Sequence, residues 1–190
     1  GPPPHAKQAL VGCASTLAFE LSVGKQRVIV NCGGAGLAGA NIPASLARGL
    51  RTTAAHSTLC VDDSNSTALL ANGQLGRGVI EVGLERRDIE NATRIEVNHD
   101  GYSKAYGFVH NRALILRSDG LELRGEDTLL PHDKHKGREE VGAHLRFHLG
   151  PDIELLLAED QRSVVMRLED GSSWTFVTTL GTIEVDDSIW

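Results

Sequence analysis

The sequence has no excess of positive charge and no long apolar run. Its 190 residues include 19 Lys and Arg against 25 Asp and Glu, which gives a net charge of -6 and a pI near 5.7. Such a chain has no basic excess to neutralise phosphates, so nucleic acid and anionic membrane surfaces are poor candidates for partners, and a polyanion is expected to bind only at a local patch. No stretch approaches the ~20 apolar residues that a membrane helix needs, and the opening residues do not resemble a signal peptide. We therefore expect a soluble chain.

Cysteine is scarce, and its spacing argues against two common structural roles. The three cysteines, Cys13, Cys32 and Cys60, are odd in number and include no Cys-x-x-Cys pair. This pattern indicates neither a disulfide framework nor a standard zinc knuckle. Buried free thiols are the expected state.

Short segments rich in β-branched residues recur along most of the chain and predict an all-β fold. The first two, at residues 15–23 and 27–32, flank a short turn and predict a hairpin. Ten or more short strands without intervening helices predict an antiparallel β-sandwich, formed as a single domain over residues 1–190. One short helix is expected near residues 44–51, after Pro43. Later strands are predicted at residues 59–61, 78–82, 93–97, 106–110, 113–117, 122–127, 144–149, 153–157, 164–168 and 173–177.

Histidine is frequent, with eight in the chain. His144 and His148 are an even number of residues apart on a predicted strand, so we expect both on one face with Arg146. That face is either a polar outer surface or one turned towards a sugar or a metal. The charged stretch at residues 131–140, which contains two more histidines, is predicted to be a solvated loop because its cations would repel a metal.

Two other positions are candidates for chemistry. His56 lies where an alanine-rich segment changes to a short β-branched strand, and it is compatible with a structural or a functional histidine. The segment Asn98-His99-Asp100-Gly101-Tyr102 brings together an imidazole, a carboxylate and a phenol, which could serve acid/base work. His99 and Tyr102 are therefore candidates for substrate binding. The alternative is a tight turn whose tyrosine packs on the sheet.

Six motifs occur in an order that is more specific than any one of them. They are Leu17-Ala18-Phe19-Glu20-Leu21-Ser22, Val28-Ile29-Val30-Asn31-Cys32-Gly33, Ala55-His56-Ser57-Thr58-Leu59, His99-Asp100-Gly101-Tyr102, Arg124-Gly125-Glu126-Asp127 and Arg146-Phe147-His148-Leu149. Their order and spacing resemble the C-terminal β-sandwich of the heparinase II/III-like polysaccharide lyases, over nearly the whole chain. The resemblance implies a domain cut from a longer protein, in which an α/α toroid precedes the sandwich.

The resemblance also implies a function that this chain performs only in part. In the family, the active cleft lies between the toroid and the sandwich, and the reaction is β-elimination on a uronate-containing acidic polysaccharide. The residues that carry it lie mainly on the toroid, so we expect no catalytic residue in this chain and no activity from it alone. The implied partners are the polysaccharide and the toroid domain, and a periplasmic or secreted location is implied. Local contacts to a polyanion are predicted for Arg48, Arg51, Arg86, Arg87, Arg94 and Arg112.

A metal, usually zinc, is a further implication of the resemblance. The family holds it through a histidine on the first strand, an aspartate on the second and the histidine of a His-x-Thr-Leu motif. These positions correspond here to Cys13, Asn31 and His56. Cysteine binds zinc well, whereas asparagine binds it poorly because it brings no charge. Zinc is thus the implied cofactor, but two of its three ligands are changed.

Two functions of different classes remain open from the sequence. One is the sandwich domain of a polysaccharide lyase, with His56 facing the cleft. The other is a noncatalytic carbohydrate-binding or structural sandwich, which the changed metal ligands favour. A third, a jelly-roll metalloenzyme acting alone, would require His110, His144 and His148 to converge.

Overall fold

The computed structural model describes residues 2, 11–33, 42–132 and 137–188. These residues form twelve strands in four antiparallel sheets and two short α-helices, which confirms the predicted all-β fold. No helix among them is both long enough and apolar enough to cross a membrane. The elements are β1 (Leu21–Val23), β2 (Gln26–Val30), α1 (Ala44–Gly49), β3 (Leu59–Val61), β4 (Val82–Ile89), β5 (Ala92–His99), α2 (Ser103–Tyr106), β6 (Phe108–Arg117), β7 (Leu123–Pro131), β8 (Ala143–Leu145), β9 (His148–Leu149), β10 (Glu154–Leu157), β11 (Ser163–Arg167) and β12 (Ser173–Val177).

The largest sheet is a meander of four long strands in the order β4-β5-β6-β7. A two-residue turn joins β4 to β5, and Asn91 takes the left-handed conformation there with φ of 60°. The registers place His110 opposite His99 and Arg112 opposite Asp127. Because side chains alternate across a strand, all four of these residues lie on the same face of the sheet.

The remaining strands form three smaller sheets, with orders β1-β2-β9, β3-β8 and β10-β11-β12. The chain changes sheet between β8 and β9, since β8 pairs with β3 and β9 pairs with β2. The prediction that His144 and His148 share one face of one strand is therefore wrong. The Arg146 amide between them donates to the carbonyl of Thr58 at 3.1 Å, and Phe147 turns into the core. The alternation of side chains along a predicted strand is the same whether or not the chain changes sheet, so the sequence does not reveal this change.

Two hydrophobic clusters pack these layers together. In one, Val28 and Ile29 of β2 pack with Met166 and Leu168, and a ring of half-buried aromatic and aliphatic side chains surrounds them. In the other, β3 packs against Tyr102 and Tyr106 beside α2. Asn31 directly follows β2, a strand of the first cluster, and residues 56–58 directly precede β3, a strand of the second.

Several predicted boundaries change for local reasons. The predicted helix is confirmed as α1, and α2 is a second short helix that the sequence did not reveal. Strand β1 begins at Leu21, because residues 15–18 form a turn in which Leu17 has φ of 62°. Residues 106–110 and 113–117, predicted as two strands, fall largely within the single strand β6. The centre of the charged loop, residues 133–136, lies outside the described residues.

Candidate functional site

Ser57 is the point at which the strands around the candidate site meet. Its amide donates to the Asn31 Oδ1 at 2.9 Å, and its hydroxyl donates to the Val30 carbonyl at 2.7 Å. The same hydroxyl oxygen accepts from the His148 amide at 2.9 Å, and the Ser57 carbonyl accepts from Arg112 at 3.0 Å. The residue is fully buried. The polar groups of Ser57 are thus satisfied by three segments, at residues 30–31, 112 and 148, and its hydroxyl makes two of these bonds.

His56 is buried and is oriented by the backbone. Its Nδ1 lies 2.8 Å from the carbonyl of Thr52, which can only accept, so Nδ1 carries the proton and Nε2 carries the lone pair. Burial lowers the pKa of His56, although the hydrogen bond to Thr52 opposes this. A neutral imidazole in which one nitrogen donates to a carbonyl and the other keeps its lone pair is typical of metal-ligating histidines. It is equally the state of a satisfied structural histidine.

Asn31 does not fit the part of a metal ligand. Its Oδ1 accepts from the Ser57 amide, while its Nδ2 donates to the Phe19 carbonyl at 3.4 Å and to the Glu20 carboxylate at 3.3 Å. The amide therefore acts as acceptor on one side and as donor on the other. An aspartate could not make the two donor contacts, because an ionised carboxylate only accepts.

The rest of the implied zinc site is also incomplete. Burial raises the pKa of the Cys13 thiol, even though the charge of Arg51 opposes this, so the thiol is protonated in the metal-free protein. Across residues 11–33, 42–132 and 137–188, no three His, Cys, Asp or Glu side chains are grouped so that they could hold a metal. The donor set of His56, Asn31 and Cys13 does not fit zinc in this conformation. We therefore assign zinc no chemical step, and a metal ligand role for His56 stays a prediction.

A chain of buried polar side chains runs across strands β5, β6 and β7. His99 Nδ1 accepts from the Gly101 amide at 3.0 Å, and His99 Nε2 lies 3.2 Å from the Nδ1 of His110. Burial, with a smaller contribution from the neighbouring His110, lowers the pKa of His99 to about 3, so His99 is neutral. Its single proton must then lie on Nε2 and be donated to His110. His110 in turn donates from Nε2 to Asp127 at 2.6 Å.

Arg112 is the last residue of this series of hydrogen-bonded side chains, and it connects the series to the segment around Ser57. Its Nε and Nη2 donate to the two carboxylate oxygens of Asp127, at 2.8 and 3.2 Å, and its Nη1 donates to the carbonyls of Leu17 and Ser57. The guanidinium also lies 5.4 Å from the ring centre of Phe19. Burial would raise the pKa of Asp127, but the hydrogen bonds from His110 and Arg112 hold it below its ordinary range. The pair is thus an ionised and fully bonded buried salt bridge.

Tyr102 lies beside this network and packs on the sheet, which was the alternative interpretation of its motif. Its hydroxyl donates to the Leu59 carbonyl at 2.7 Å, and its ring lies against those of His99 and Tyr106. Burial raises the pKa of Tyr102 well above the ordinary value for a phenol. Tyr102 and His99 are each about 1% exposed. Neither faces solvent in this structure, and a substrate-binding role for them stays a prediction.

Sequence reasoning missed the central residues of this network. The sequence predicts a polyanion contact for Arg112, but this residue is 1% exposed and its guanidinium bonds to Asp127 inside the fold. Asp127 was noted only as the end of a family motif. An arginine inside the apolar run of β6 and an aspartate in β7 were the available signals. Only the strand register shows that the two are partners.

Comparison with known proteins places this fold in a family. The profile described as "Heparinase II/III-like, C-terminal" matches residues 1–190. The chain belongs to the heparinase II/III-like family. It is 30% identical over 200 residues to FtsZ-localized protein C of Caulobacter vibrioides, an alignment that covers 99% of this chain but 34% of that relative. This member of the heparinase II/III-like family thus spans about a third of the length of the curated relative it matches. No solved structure matches it.

Replacing Arg112 by leucine should strongly destabilise the domain. The change leaves the ionised Asp127 buried without its partner, and breaking a buried pair in this way costs about 3–5 kcal/mol. Urea unfolding measures the loss. Arg117→Leu is the matched control because Arg117 lies on the same strand in an ion pair whose side chains are about half exposed. We expect that control to lose little stability, because a solvent-exposed ion pair contributes little, and equal losses in the two variants would contradict the assigned role of Arg112.

The stability of the domain should fall as the pH is lowered from 6.5 towards 3. Unfolded His99 takes up a proton near its ordinary pKa of 6.5, whereas native His99 does so only at about 3, so acid favours the unfolded chain. The lowered pKa of Asp127 acts in the same direction but below 3.8. Urea unfolding across this range should show a shallower slope in His99→Gln, which does not titrate. His144→Gln, at an exposed position, should keep the wild-type slope.

Asn31→Asp should destabilise the metal-free protein. The new carboxylate faces the Phe19 carbonyl and the Glu20 carboxylate as a third acceptor, so the partly buried bond to Phe19 and the exposed bond to Glu20 are lost, at a cost of about 1 kcal/mol. Thermal unfolding in EDTA is the measurement, with Asn98→Asp at an exposed position as the control. Stoichiometric zinc in the purified wild-type protein, together with a lower Tm in EDTA, would show instead that Asn31 belongs to an occupied site.

Proposed function

We propose that this chain is the β-sandwich domain of a heparinase II/III-like polysaccharide lyase and that it is not catalytic alone. The observation that carries the proposal is the burial of the acid/base groups of the His56 motif, of the His99–Tyr102 motif and of His110. His56, His99, His110 and Tyr102 are at most 4% exposed. β-Elimination requires a base that reaches a sugar proton and an acid that reaches the leaving oxygen. The residues that do so are proposed to lie elsewhere in the whole protein.

The protonation states of the buried groups support a structural role for them. His56 donates a hydrogen bond to Thr52. His99 donates to His110, and His110 donates to Asp127. Each imidazole has its proton fixed on one nitrogen by a neighbour. Groups committed in this way hold the sandwich together, and a substrate would have to break these bonds to use them.

The arginines considered for polyanion binding are already engaged. Arg112 is buried, and Arg48 donates to the carbonyls of Leu69 and Leu70. Arg51 likewise donates to backbone carbonyls. The other three, Arg86, Arg87 and Arg94, pair on the meander with Asp88, Glu85 and Glu96 respectively. This arrangement favours a cleft whose positive charge comes mainly from another domain.

The second candidate function is a noncatalytic structural module. Two observations favour it: the amide of Asn31 takes the place of the implied metal ligand, and the relative from Caulobacter carries the name FtsZ-localized protein C. Under this proposal the domain keeps the family fold for assembly with other proteins, FtsZ filaments among them, and the whole protein has no lyase activity.

The two candidates differ in the activity of the full-length protein. Under the first, full-length protein releases unsaturated products from heparin-like or alginate-like polysaccharide, detected by ultraviolet absorbance, while the 190-residue chain alone releases none. Activity in the isolated chain would overturn the proposal. Under the second, the full-length protein is inactive on both substrates and sediments with FtsZ filaments. Arg124→Ala, at an exposed site on the meander, is a suitable control variant because it should change neither result.

A further inference from the structure

Cys32 and His148 form a contact that neither the family resemblance nor the proposed function accounts for. Cys32 lies two residues beyond the end of β2, and His148 begins β9, which pairs with β2 through Val30. The Cys32 Sγ lies 3.3 Å from the His148 Nδ1. Both residues are partly exposed. A thiol and an imidazole at this distance can share a proton.

The backbone determines which imidazole nitrogen faces the thiol as a base. His148 Nε2 lies 2.8 Å from the carbonyl of Ala54, which accepts only, so Nε2 carries a proton. In the neutral ring, Nδ1 therefore carries the lone pair that points to Cys32. The Ser188 hydroxyl lies 2.8 Å from this Nδ1 and 3.8 Å from Cys32 Sγ, where it can donate to either. The Cys32 thiol, the His148 imidazole and the Ala54 carbonyl are thus connected by successive hydrogen bonds.

The other two cysteines are in a different chemical state. Burial raises the pKa of Cys13 and of Cys60. Burial would raise the pKa of Cys32 as well, but the hydrogen bonds from His148 and Ser188 lower it below the ordinary value. Cys13 is partly exposed, as Cys32 is, so access alone does not separate the two. Cys13 is therefore an internal control for the effect of the imidazole.

We propose that Cys32 is a selective site of covalent thiol modification by small soft electrophiles, peroxides among them, with His148 as its base. His148 Nδ1 takes the thiol proton, which leaves a thiolate and an imidazolium. With hydrogen peroxide, the sulfur attacks one oxygen, an S–O bond forms as the O–O bond breaks, and hydroxide leaves. The imidazolium proton converts this hydroxide to water, so cysteine is oxidised to sulfenic acid and peroxide is reduced. This site is independent of the proposed lyase or assembly function.

The surroundings of the pair set its pH range. The hydrogen bond with Cys32 raises the pKa of His148, while burial and the charge of Arg146 oppose this. His56 is the other titratable group whose charge interacts with His148. Reactivity of Cys32 should therefore begin at lower pH than that of Cys13, and it should lose this advantage when the imidazole is removed.

Alkylation kinetics test the site directly. Native full-length protein is treated with iodoacetamide across a pH series, and peptide-level mass spectrometry follows the three cysteines separately. Near neutral pH we expect Cys32 to react about tenfold faster than Cys13 or more, because the thiolate is the reacting species. His148→Gln should reduce the Cys32 rate by about the same factor and raise the pH at which reaction begins. A dimedone label after peroxide treatment should mark Cys32 and fail in Cys32→Ser.

Two results would overturn the proposal. One is a Cys32 rate no higher than that of Cys13, and the other is an unchanged Cys32 rate in a folded His148→Gln variant. His148 also bonds to Ala54, so that variant can fail to fold, and the wild-type pH profiles then decide. A shared midpoint for Cys32 and Cys13 rejects the imidazole as base. Ser188→Ala, at an exposed position, should keep the fold and slow Cys32 less than the loss of His148 does.

Discussion

The buried ion pair of Arg112 and Asp127 is the constraint on which the polar interior of this domain depends. Removing two charges from water costs several kcal/mol per ion, and their attraction offsets that cost only when the remaining hydrogen bonds are made. Here they are made by His110 on one side and by the carbonyls of Leu17 and Ser57 on the other. The need to satisfy one guanidinium thus fixes the position of β6 and β7 relative to two distant segments of the chain.

Asn31 shows how one amide side chain can join three separate segments of the chain. The amide bonds to Phe19, Glu20 and Ser57, so it joins the segments that precede β1, follow β2 and precede β3. A neutral side chain that both donates and accepts can do this without a counter-ion.

The fold could be predicted from the sequence to a greater extent than the site could. Alternating patterns and turn residues predicted the strands, since both are local properties, and the order of motifs predicted the family. His56 and Asn31 were found by the same motifs, but their roles depend on hydrogen bonds to Thr52, Phe19 and Ser57 that no local pattern contains. The roles of Arg112 and Cys32 could not be predicted, because their partners lie 15 and 116 residues away and are brought close by strand register. The sequence predicts one strand for His144 and His148, whereas the chain changes sheet between these two residues.

That turn between sheets also has a mechanical consequence. Arg146 and Phe147 carry the chain from β8 in one sheet to β9 in another, and the backbone on both sides of the step is bonded to the Ser57 segment. Sliding either sheet along its strands would stretch this covalent bridge and break the serine bonds together. We therefore expect the connection between β8 and β9 to resist sliding of the two sheets past each other. The tips of the long meander hairpins, which carry exposed residues such as Ile89 and Leu116, are bonded to each other through the Ser118 amide and the Asn91 carbonyl, and we expect fraying to begin there.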